Sequence, residues 1–80
     1  MGVKAAVVKR INQLCKQRDI KLNALANLAG ITPSTIYSMV DASHEDIGIV
    51  GIKKICDALN IQLNDFFSAD IFNNLEQEIL

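Results

Sequence analysis

The sequence predicts an all-α fold, a compact bundle of five helices with a short helix added at its C-terminal end. Apolar residues recur three and four positions apart along most of the 80 residues, as they do on the buried face of a helix. No useful length of the sequence alternates between apolar and polar residues, so we expect no β-sheet. Half of the residues are apolar, which suffices for the core of one small domain.

The first two helices are predicted over residues 3–18 and 22–29, and each has its apolar residues on one side. The stripe on the first helix consists of Val7, Val8, Ile11, Leu14 and Cys15. On the second helix, we expect Leu25, Leu28 and Ala29 to point into the core.

A turn at Gly30 separates the second helix from a third, predicted over residues 33–41. A glycine just past a helix adopts the left-handed backbone conformation without a Cβ clash, so we expect a positive φ at Gly30. Ile31 then returns to the core. Thr32 suits the N-cap of the third helix, and Pro33 suits its first position, where a missing N–H costs nothing.

A polar loop over residues 42–48 leads to a fourth helix over residues 49–60 and a short fifth helix that ends near residue 67. The inward residues of these two helices are Ile52, Ile55, Cys56, Leu59, Leu63, Phe66 and Phe67. Asp70 can cap a last helix, which carries an apolar stripe. That stripe consists of Ile71, Phe72, Leu75 and Ile79.

The two halves of the chain carry opposite net charges, although the whole chain has a net charge of only −1. Residues 1–40 hold six basic residues and one acidic residue, which gives +5, and residues 41–80 hold two basic and eight acidic residues, which gives −6. The basic residues of the first half are Lys4, Lys9, Arg10, Lys16, Arg18 and Lys21. This asymmetry can orient a domain on a polyanion, or it can be an ordinary solvated surface.

The predicted third helix has an outer face of small hydroxyl residues. At about 100° per residue, the side that faces the core carries Ile36, Met39 and Val40. Ser34, Ser38 and Asp41 point roughly opposite, and Tyr37 lies on the flank. A helix face that serves only solubility usually carries Lys and Glu instead. Small hydroxyl residues and a tyrosine suit close approach to a surface rich in acceptors and methyl groups, which the major groove of DNA offers.

Two segments carry a resemblance to a known family: "LANLAGITPSTIYSMV" at residues 25–40 and "IKKICDALNIQLNDFF" at residues 52–67. They resemble the lambda-repressor-like helix-turn-helix regulators of the Cro and XRE type. The core and turn positions of that family are filled by Leu25, Ala26, Ala29, Gly30, Ile31, Ile36 and Met39. The resemblance covers about residues 7–67.

The resemblance implies a sequence-specific transcriptional regulator of bacterial or phage type, with double-stranded DNA as its partner. Its helix-turn-helix would span about residues 22–41 and place the third helix in the major groove. By position, the residues that meet bases or nearby phosphates are Thr32, Pro33, Ser34, Thr35, Tyr37 and Ser38. Lys21 and Asn23, at the start of the second helix, would meet backbone phosphate.

The sequence departs from the family pattern in several positions. Family members often begin the second helix with a hydroxyl cap and a glutamine, where this chain has Lys21 and Leu22. The third helix lacks Arg, Gln and Asn, which make paired bonds to base edges, so direct readout should rest on single bonds or methyl contacts from Ser, Thr and Tyr. Asp41 would repel phosphate unless it faces away or reads a cytosine amino group.

Nothing in the sequence indicates an enzyme, a metal site, a cofactor or a small-molecule ligand. His44 is the only histidine and should be exposed in a polar loop. Glu76 and Glu78 would point about 200° apart on a helix, too far to act as a pair.

The remaining composition indicates a cytoplasmic protein. Cys15 and Cys56 are typical of reduced core thiols, although a disulfide between them stays open at this stage. No apolar run approaches the roughly 18 residues of a membrane span.

Two functions and two roles for the C-terminal end remain open. The chain is either a DNA-binding regulator or a protein-interaction module that keeps this fold without specific DNA binding. The acidic second half and the lack of strong base-reading residues on the third helix favour the latter. We divide the chain into a helix-turn-helix domain over residues 1–69 and a C-terminal helix over residues 70–80. That helix either packs within its own subunit or pairs with a second copy. We expect a homodimer, because operators for this fold are usually read by dimers.

Overall fold

Helices make up most of residues 1–79, which is the part of the chain that the computed structural model describes. Within this range, the five α-helices are α1 (Val3–Arg18), α2 (Leu22–Ala29), α3 (Pro33–Met39), α4 (Ile49–Leu59) and α5 (Leu63–Phe67), and a 3-10 turn covers Asp70–Phe72. No residue in the described range belongs to a strand, so the all-α prediction is confirmed. None of these helices, over residues 1–79, combines the length and the apolar character that crossing a bilayer requires.

All five helices contribute to one apolar core. Helix α2 packs against both α3 and α4, and α5 packs against α4. The residues with no exposed surface are Ala6, Ile11, Leu25, Ala26, Ile36, Ile55, Cys56 and Phe66. The core therefore holds α3 from its inner side only and leaves its outer side in solvent.

Leu28 was predicted to point inward, and this prediction is wrong. It keeps 61% of its surface exposed, whereas Ala26 is fully buried. The inward arc of α2 is centred between Leu25, Ala26 and Ala29, and at the helical pitch Leu28 lies about 110° from that centre. A leucine thus stands on the outer face of α2.

Three of the helices end in the same way, with one left-handed residue followed by an isoleucine. The left-handed residues are Asp19 (φ 54°), Gly30 (φ 69°) and Asn60 (φ 57°). In each case the next residue donates its backbone N–H to the carbonyl five positions earlier, at 2.9–3.0 Å, which is the bond of a Schellman motif. The isoleucines are Ile20, Ile31 and Ile61, and each packs against the core. The positive φ predicted at Gly30 is confirmed.

Helix α3 ends at Met39, two residues before the predicted end. The Asp41 carboxylate accepts hydrogen bonds from the backbone N–H and the hydroxyl of Ser43, both at 2.9 Å. A short acidic side chain that bonds the backbone two residues ahead favours a turn over continued helix. This turn begins the loop that leads to α4.

The C-terminal helix is much shorter than predicted, a single 3-10 turn over Asp70–Phe72. Asn74 has a φ of 60°, and no helix continues over residues 73–79. A helix this short is marginal without tertiary contacts, and two asparagines disfavour its extension. Position 80, the end of the predicted helix, lies outside the described residues.

Three of the four residues of the predicted C-terminal stripe are partly buried within the chain itself. Phe67 was predicted to enter the core, but it is 37% exposed, and its ring lies against that of Phe72 with the centroids 5.0 Å apart. Ile71 and Leu75 are half-buried. Ile79 is 86% exposed.

Residues 73–79 run back towards the chain's first residues. The backbone N–H of Glu76 donates to the carbonyl of Met1 at 3.0 Å. A Cβ at Gly2 would lie 3.8 Å from a Glu78 carboxylate oxygen and 3.9 Å from one of Glu76. The two carboxylates therefore reach the same place, contrary to the prediction, because non-helical backbone replaces the expected helix.

Replacing Gly30 tests the turn between α2 and α3. We expect Gly30→Ala to lower the free energy of unfolding by about 1 kcal/mol or more, because a Cβ disfavours the left-handed conformation. No heavy atom lies within 4 Å of the position that this Cβ would take, so the loss would be conformational and not steric. Chemical denaturation of both forms measures it.

Gly30→Asn is the matched control. Asparagine tolerates the left-handed region and already occupies it at Asn60. Its loss of stability should be clearly smaller than that of Gly30→Ala. Equal losses would mean that the volume of the side chain, and not the φ angle, sets the cost.

Candidate nucleic-acid interface

Helix α3 presents a polar outer side because its inner side is fixed in the core. Ile36 is fully buried and Met39 is 7% exposed, which orients the helix about its axis. The eight residues predicted to meet DNA are all exposed: Lys21, Asn23, Thr32, Pro33, Ser34, Thr35, Tyr37 and Ser38. The packing that the hydrophobic pattern predicts for α3 is therefore present.

The first turn of α3 carries a small network of hydroxyl groups. Thr32 is the N-cap, as predicted, and its Oγ1 accepts a hydrogen bond from the Thr35 backbone N–H at 3.2 Å. The same oxygen lies 2.9 Å from the Thr35 hydroxyl and 3.2 Å from the Ser34 hydroxyl. Three of the predicted contact residues thus hold one another before any partner binds.

A hydrogen bond between Tyr37 and Asn23 links α3 to the start of α2. The Tyr37 hydroxyl donates to Asn23 Oδ1 at 2.9 Å. A carboxamide that accepts this bond through its oxygen still has both N–H groups available as donors. The sequence predicted contacts for each residue separately, and no local spacing could reveal a pair 14 positions apart.

Helix α2 has no side-chain cap at its first turn. Lys21 occupies the N-cap position with extended backbone, and its side chain makes no capping bond. This agrees with the departure seen in the sequence, where the family has a hydroxyl residue. The Lys21 ammonium is exposed beside the α2 N-terminus and close in sequence to Asn23.

Several basic residues are engaged within the domain. Arg10 donates to the backbone carbonyls of Phe66 at 2.7 Å and Asp65 at 2.9 Å, at the end of α5. Lys4 donates to the carbonyls of His44 and Asp46.

The other basic residues differ in whether they have a partner within residues 1–79. Lys53 pairs with Asp57 one turn along α4. Within residues 1–79, the basic side chains that make no hydrogen bond or ion pair are Lys9, Lys16, Arg18, Lys21 and Lys54. Three of these, Lys16, Arg18 and Lys21, flank the short connection from α1 to α2, which also contains the acidic Asp19. In the sequence, this connection leads directly into the start of α2, where Asn23 lies.

Asp41 is the acidic residue that follows α3 in the sequence, and it belongs to the turn after the helix. Hydrogen bonds from Ser43 lower the pKa of Asp41 below its ordinary value. The bond from the backbone N–H has the largest effect, and the bond from the hydroxyl has the next largest. The second carboxylate oxygen of Asp41 lies 3.4 Å from Nδ1 of His44, which is exposed as predicted. Asp41 was predicted to share the outer face of the third helix with Ser34 and Ser38, and this prediction is wrong, because α3 ends at Met39 and the carboxylate is held in the turn that follows.

The two cysteines are free thiols buried in the core, which closes the disulfide alternative. Burial raises the pKa of both Cys15 and Cys56. No group of three or more metal-ligating side chains comes together in the described part of the chain.

Comparison with known proteins agrees with this geometry. Residues 10–70 match the family model of the Cro/C1-type helix-turn-helix DNA-binding domain. A solved structure titled as the prophage Lp1 protein 11 is similar over 94% of this chain and 100% of that chain, with a TM-score of 0.82 and 29% sequence identity. No curated protein matches.

Arg10 should stabilise the domain and contribute nothing to an electrostatic interface. We expect Arg10→Met to lower the free energy of unfolding by roughly 1–3 kcal/mol, because it removes charge-assisted bonds to the last carbonyls of α5 and keeps the aliphatic stem. Thermal or chemical denaturation measures the change.

Arg18→Met is the control for Arg10→Met, since it removes the same charge from an exposed side chain. Its effect on stability should stay within about 0.5 kcal/mol. If the two variants lose the same stability, the bonds from Arg10 to α5 make no special contribution.

Proposed function

Because the chain belongs to the Cro/C1-type helix-turn-helix DNA-binding domain family, we propose that it is a sequence-specific transcriptional regulator whose α3 enters the major groove of DNA. The observation that carries this proposal is the outer side of α3, which has only small hydroxyl residues, a proline and a tyrosine. The α2–α3 turn at Gly30 fixes the angle at which this side leaves the domain. A helix with such short side chains can approach base edges closely.

The proposed contacts divide between bases and phosphates. Lys21 and Asn23 lie at the start of α2 and would bind backbone phosphate. The residues of α3 and its cap would lie in the groove, and these are Thr32, Pro33, Ser34, Thr35, Tyr37 and Ser38. The bond from Tyr37 to Asn23 joins the two groups, so the phosphate contact and the groove contact keep a fixed spacing.

A phage or bacterial origin fits the similarity to a prophage protein. In such a cell the DNA lies in the cytoplasm, which is also the reducing compartment. A reducing compartment keeps thiols free, in agreement with the two free cysteines of this chain. A domain bound at a promoter excludes other proteins from it, so repression is the direct outcome of the proposed binding.

Salt dependence tests whether phosphates are bound. If a dimer neutralises three or four phosphates per subunit, the logarithm of the binding constant should fall with the logarithm of salt concentration with a slope of about −5 to −7. Lys21→Ala should reduce the steepness by about 2 in a dimer, one unit per subunit. Fluorescence anisotropy on a labelled duplex, repeated over a range of salt, measures both slopes.

Arg10→Met serves as the matched control in this titration, because the Arg10 guanidinium is already bound to α5. Its slope should equal that of the unmodified protein. A flat salt dependence, or no binding to duplex DNA even at low salt, would contradict the proposed function.

A protein-interaction module is the second candidate, and exposed apolar side chains favour it. Three large apolar side chains are more than half exposed: Leu28 on α2, and Ile49 and Val50 at the start of α4. Apolar residues outside a core can mark a surface for another protein. Loss of DNA binding in the salt titration is the result that would select this candidate.

We further propose that the regulator works as a homodimer, since two recognition helices about one DNA turn apart read a symmetric site. Ile71, Phe72 and Leu75 are half-buried in their own subunit, which leaves Ile79 as the exposed apolar residue of that stripe. A contribution of the C-terminal stretch to the dimer would therefore centre on Ile79.

Sedimentation of the full chain should give the mass of a dimer at micromolar concentration. Ile79→Glu should shift the equilibrium towards monomer by about tenfold or more, because it places a charge in an apolar contact, while the helical content measured by far-UV circular dichroism stays unchanged. If the variant remains as dimeric as the unmodified chain, the interface lies elsewhere. A full chain that stays monomeric at high micromolar concentration would contradict the dimer.

A further inference from the structure

The outer side of α3 has no side chain that can make two hydrogen bonds to one base. Discrimination among bases in the major groove commonly uses Arg, Lys, Gln or Asn, which can bond two positions on a purine edge. The six exposed residues of this surface include none of these types. A hydroxyl group offers at most a single bond at a time to a base edge.

Most of the hydroxyl groups on this surface are already bonded inside the domain. The Thr32 oxygen is shared among the Thr35 N–H, the Thr35 hydroxyl and the Ser34 hydroxyl. The Tyr37 proton is donated to Asn23. Only the Ser38 hydroxyl makes no hydrogen bond within residues 1–79. The Tyr37 hydroxyl could donate to a base only by giving up its bond to Asn23, and the Thr32, Ser34 and Thr35 hydroxyls share their protons among themselves, while all four oxygens can still accept a single bond from a base amino group.

The groups of this surface that are free to contact bases without a hydrogen bond are apolar. These apolar groups are the γ-methyl groups of Thr32 and Thr35, the Pro33 ring and the Tyr37 ring. The Tyr37 side chain is well placed for such a contact, since the residue is 50% exposed. In the major groove, one feature of the standard bases accepts such a contact, the C5-methyl group of thymine. Burial of a methyl group against a methyl or ring is favourable without any polar partner.

We infer that this surface selects DNA sites by the C5-methyl groups of thymine and not by paired hydrogen bonds to purine edges. The inference rests on the proposed function, since it specifies what the proposed recognition helix reads. Sites selected from random DNA would contain thymines at fixed positions in each half-site. The Ser38 hydroxyl can add one hydrogen bond to this pattern.

The test uses DNA analogues that change one group at a time. A site is first selected from random duplex, and its thymines are then replaced by deoxyuridine, which removes the methyl group and keeps every hydrogen-bonding position. Each contacted thymine should cost about threefold to fourfold in affinity, the equivalent of about 0.8 kcal/mol per methyl group. Replacing all contacted thymines of a half-site should cost roughly tenfold or more.

Replacement of guanine or adenine in the same site by the 7-deaza analogue tests whether hydrogen bonds to purine edges contribute to binding. It removes the N7 acceptor that paired hydrogen bonds use and keeps the thymine methyl groups. We expect less than about a twofold change. Deoxyuridine placed in an unselected duplex is the control for general effects on DNA shape, and it should leave binding unchanged.

Two serine variants assign the contact on the protein side. Thr32→Ser and Thr35→Ser each remove one γ-methyl group and keep the hydroxyl, and serine remains a good N-cap at position 32. If a threonine methyl meets a thymine methyl, the corresponding variant loses about threefold on the thymine site and nothing on the deoxyuridine site. If both variants bind like the unmodified chain while deoxyuridine still weakens binding, the contact belongs to Pro33 or Tyr37, and the inference holds.

The outcomes separate the inference from the function on which it rests. A selected site that ignores deoxyuridine and loses more than about tenfold with the 7-deaza purines overturns the inference and leaves the DNA-binding function intact. Failure to enrich any site from random duplex at low salt overturns the proposed function itself.

Discussion

The arrangement of the helices depends on three left-handed residues, each followed by an isoleucine that returns to the core. Asp19, Gly30 and Asn60 reverse the chain after α1, α2 and α4. Each cap satisfies carbonyls at the helix end, and the isoleucine behind it fixes the direction in which the next helix starts. Because α3 is only seven residues long and cannot stabilise itself, its orientation comes from the cap at Gly30 and from its inner residues. The candidate surface is thus a consequence of how the preceding helix ends.

Much of the fold could be predicted from the sequence because its signals are local. The bounds of α1, α2 and the start of α3 follow from apolar spacing, a turn glycine and the threonine–proline cap. The equivalent caps at Asp19 and Asn60 were not predicted, because neither residue is a glycine. Leu28 and residues 73–79 were placed wrongly, since burial of a borderline position and the persistence of a short helix depend on tertiary contacts that spacing does not encode.

The candidate surface could be predicted as a set of exposed residues but not as a connected structure. Helical phase alone places Ser34 and Ser38 opposite Ile36, and the structure agrees. The bond between Tyr37 and Asn23 joins two helices across the turn, so it depends on the crossing of α2 and α3. Likewise, Arg10 counts as one positive charge in the sequence, yet its guanidinium is bound to the end of α5. A count of basic residues therefore overstates how many of their side chains are free to bind phosphate.

The hydroxyl network and the tyrosine bond have a consequence for the thermodynamics of association. Side chains that are mobile in the free protein lose rotamer entropy on binding, at a cost of roughly 0.5–1.5 kcal/mol for each rotamer-rich side chain. Serine and threonine have little such freedom, and Tyr37 is already tethered by its hydroxyl. The surface is thereby preorganised, with most of its ordering completed during folding. Docking can then proceed between nearly rigid bodies. The entropy lost on binding is smaller than it would be for long, flexible side chains, so the same number of contacts gives a higher affinity.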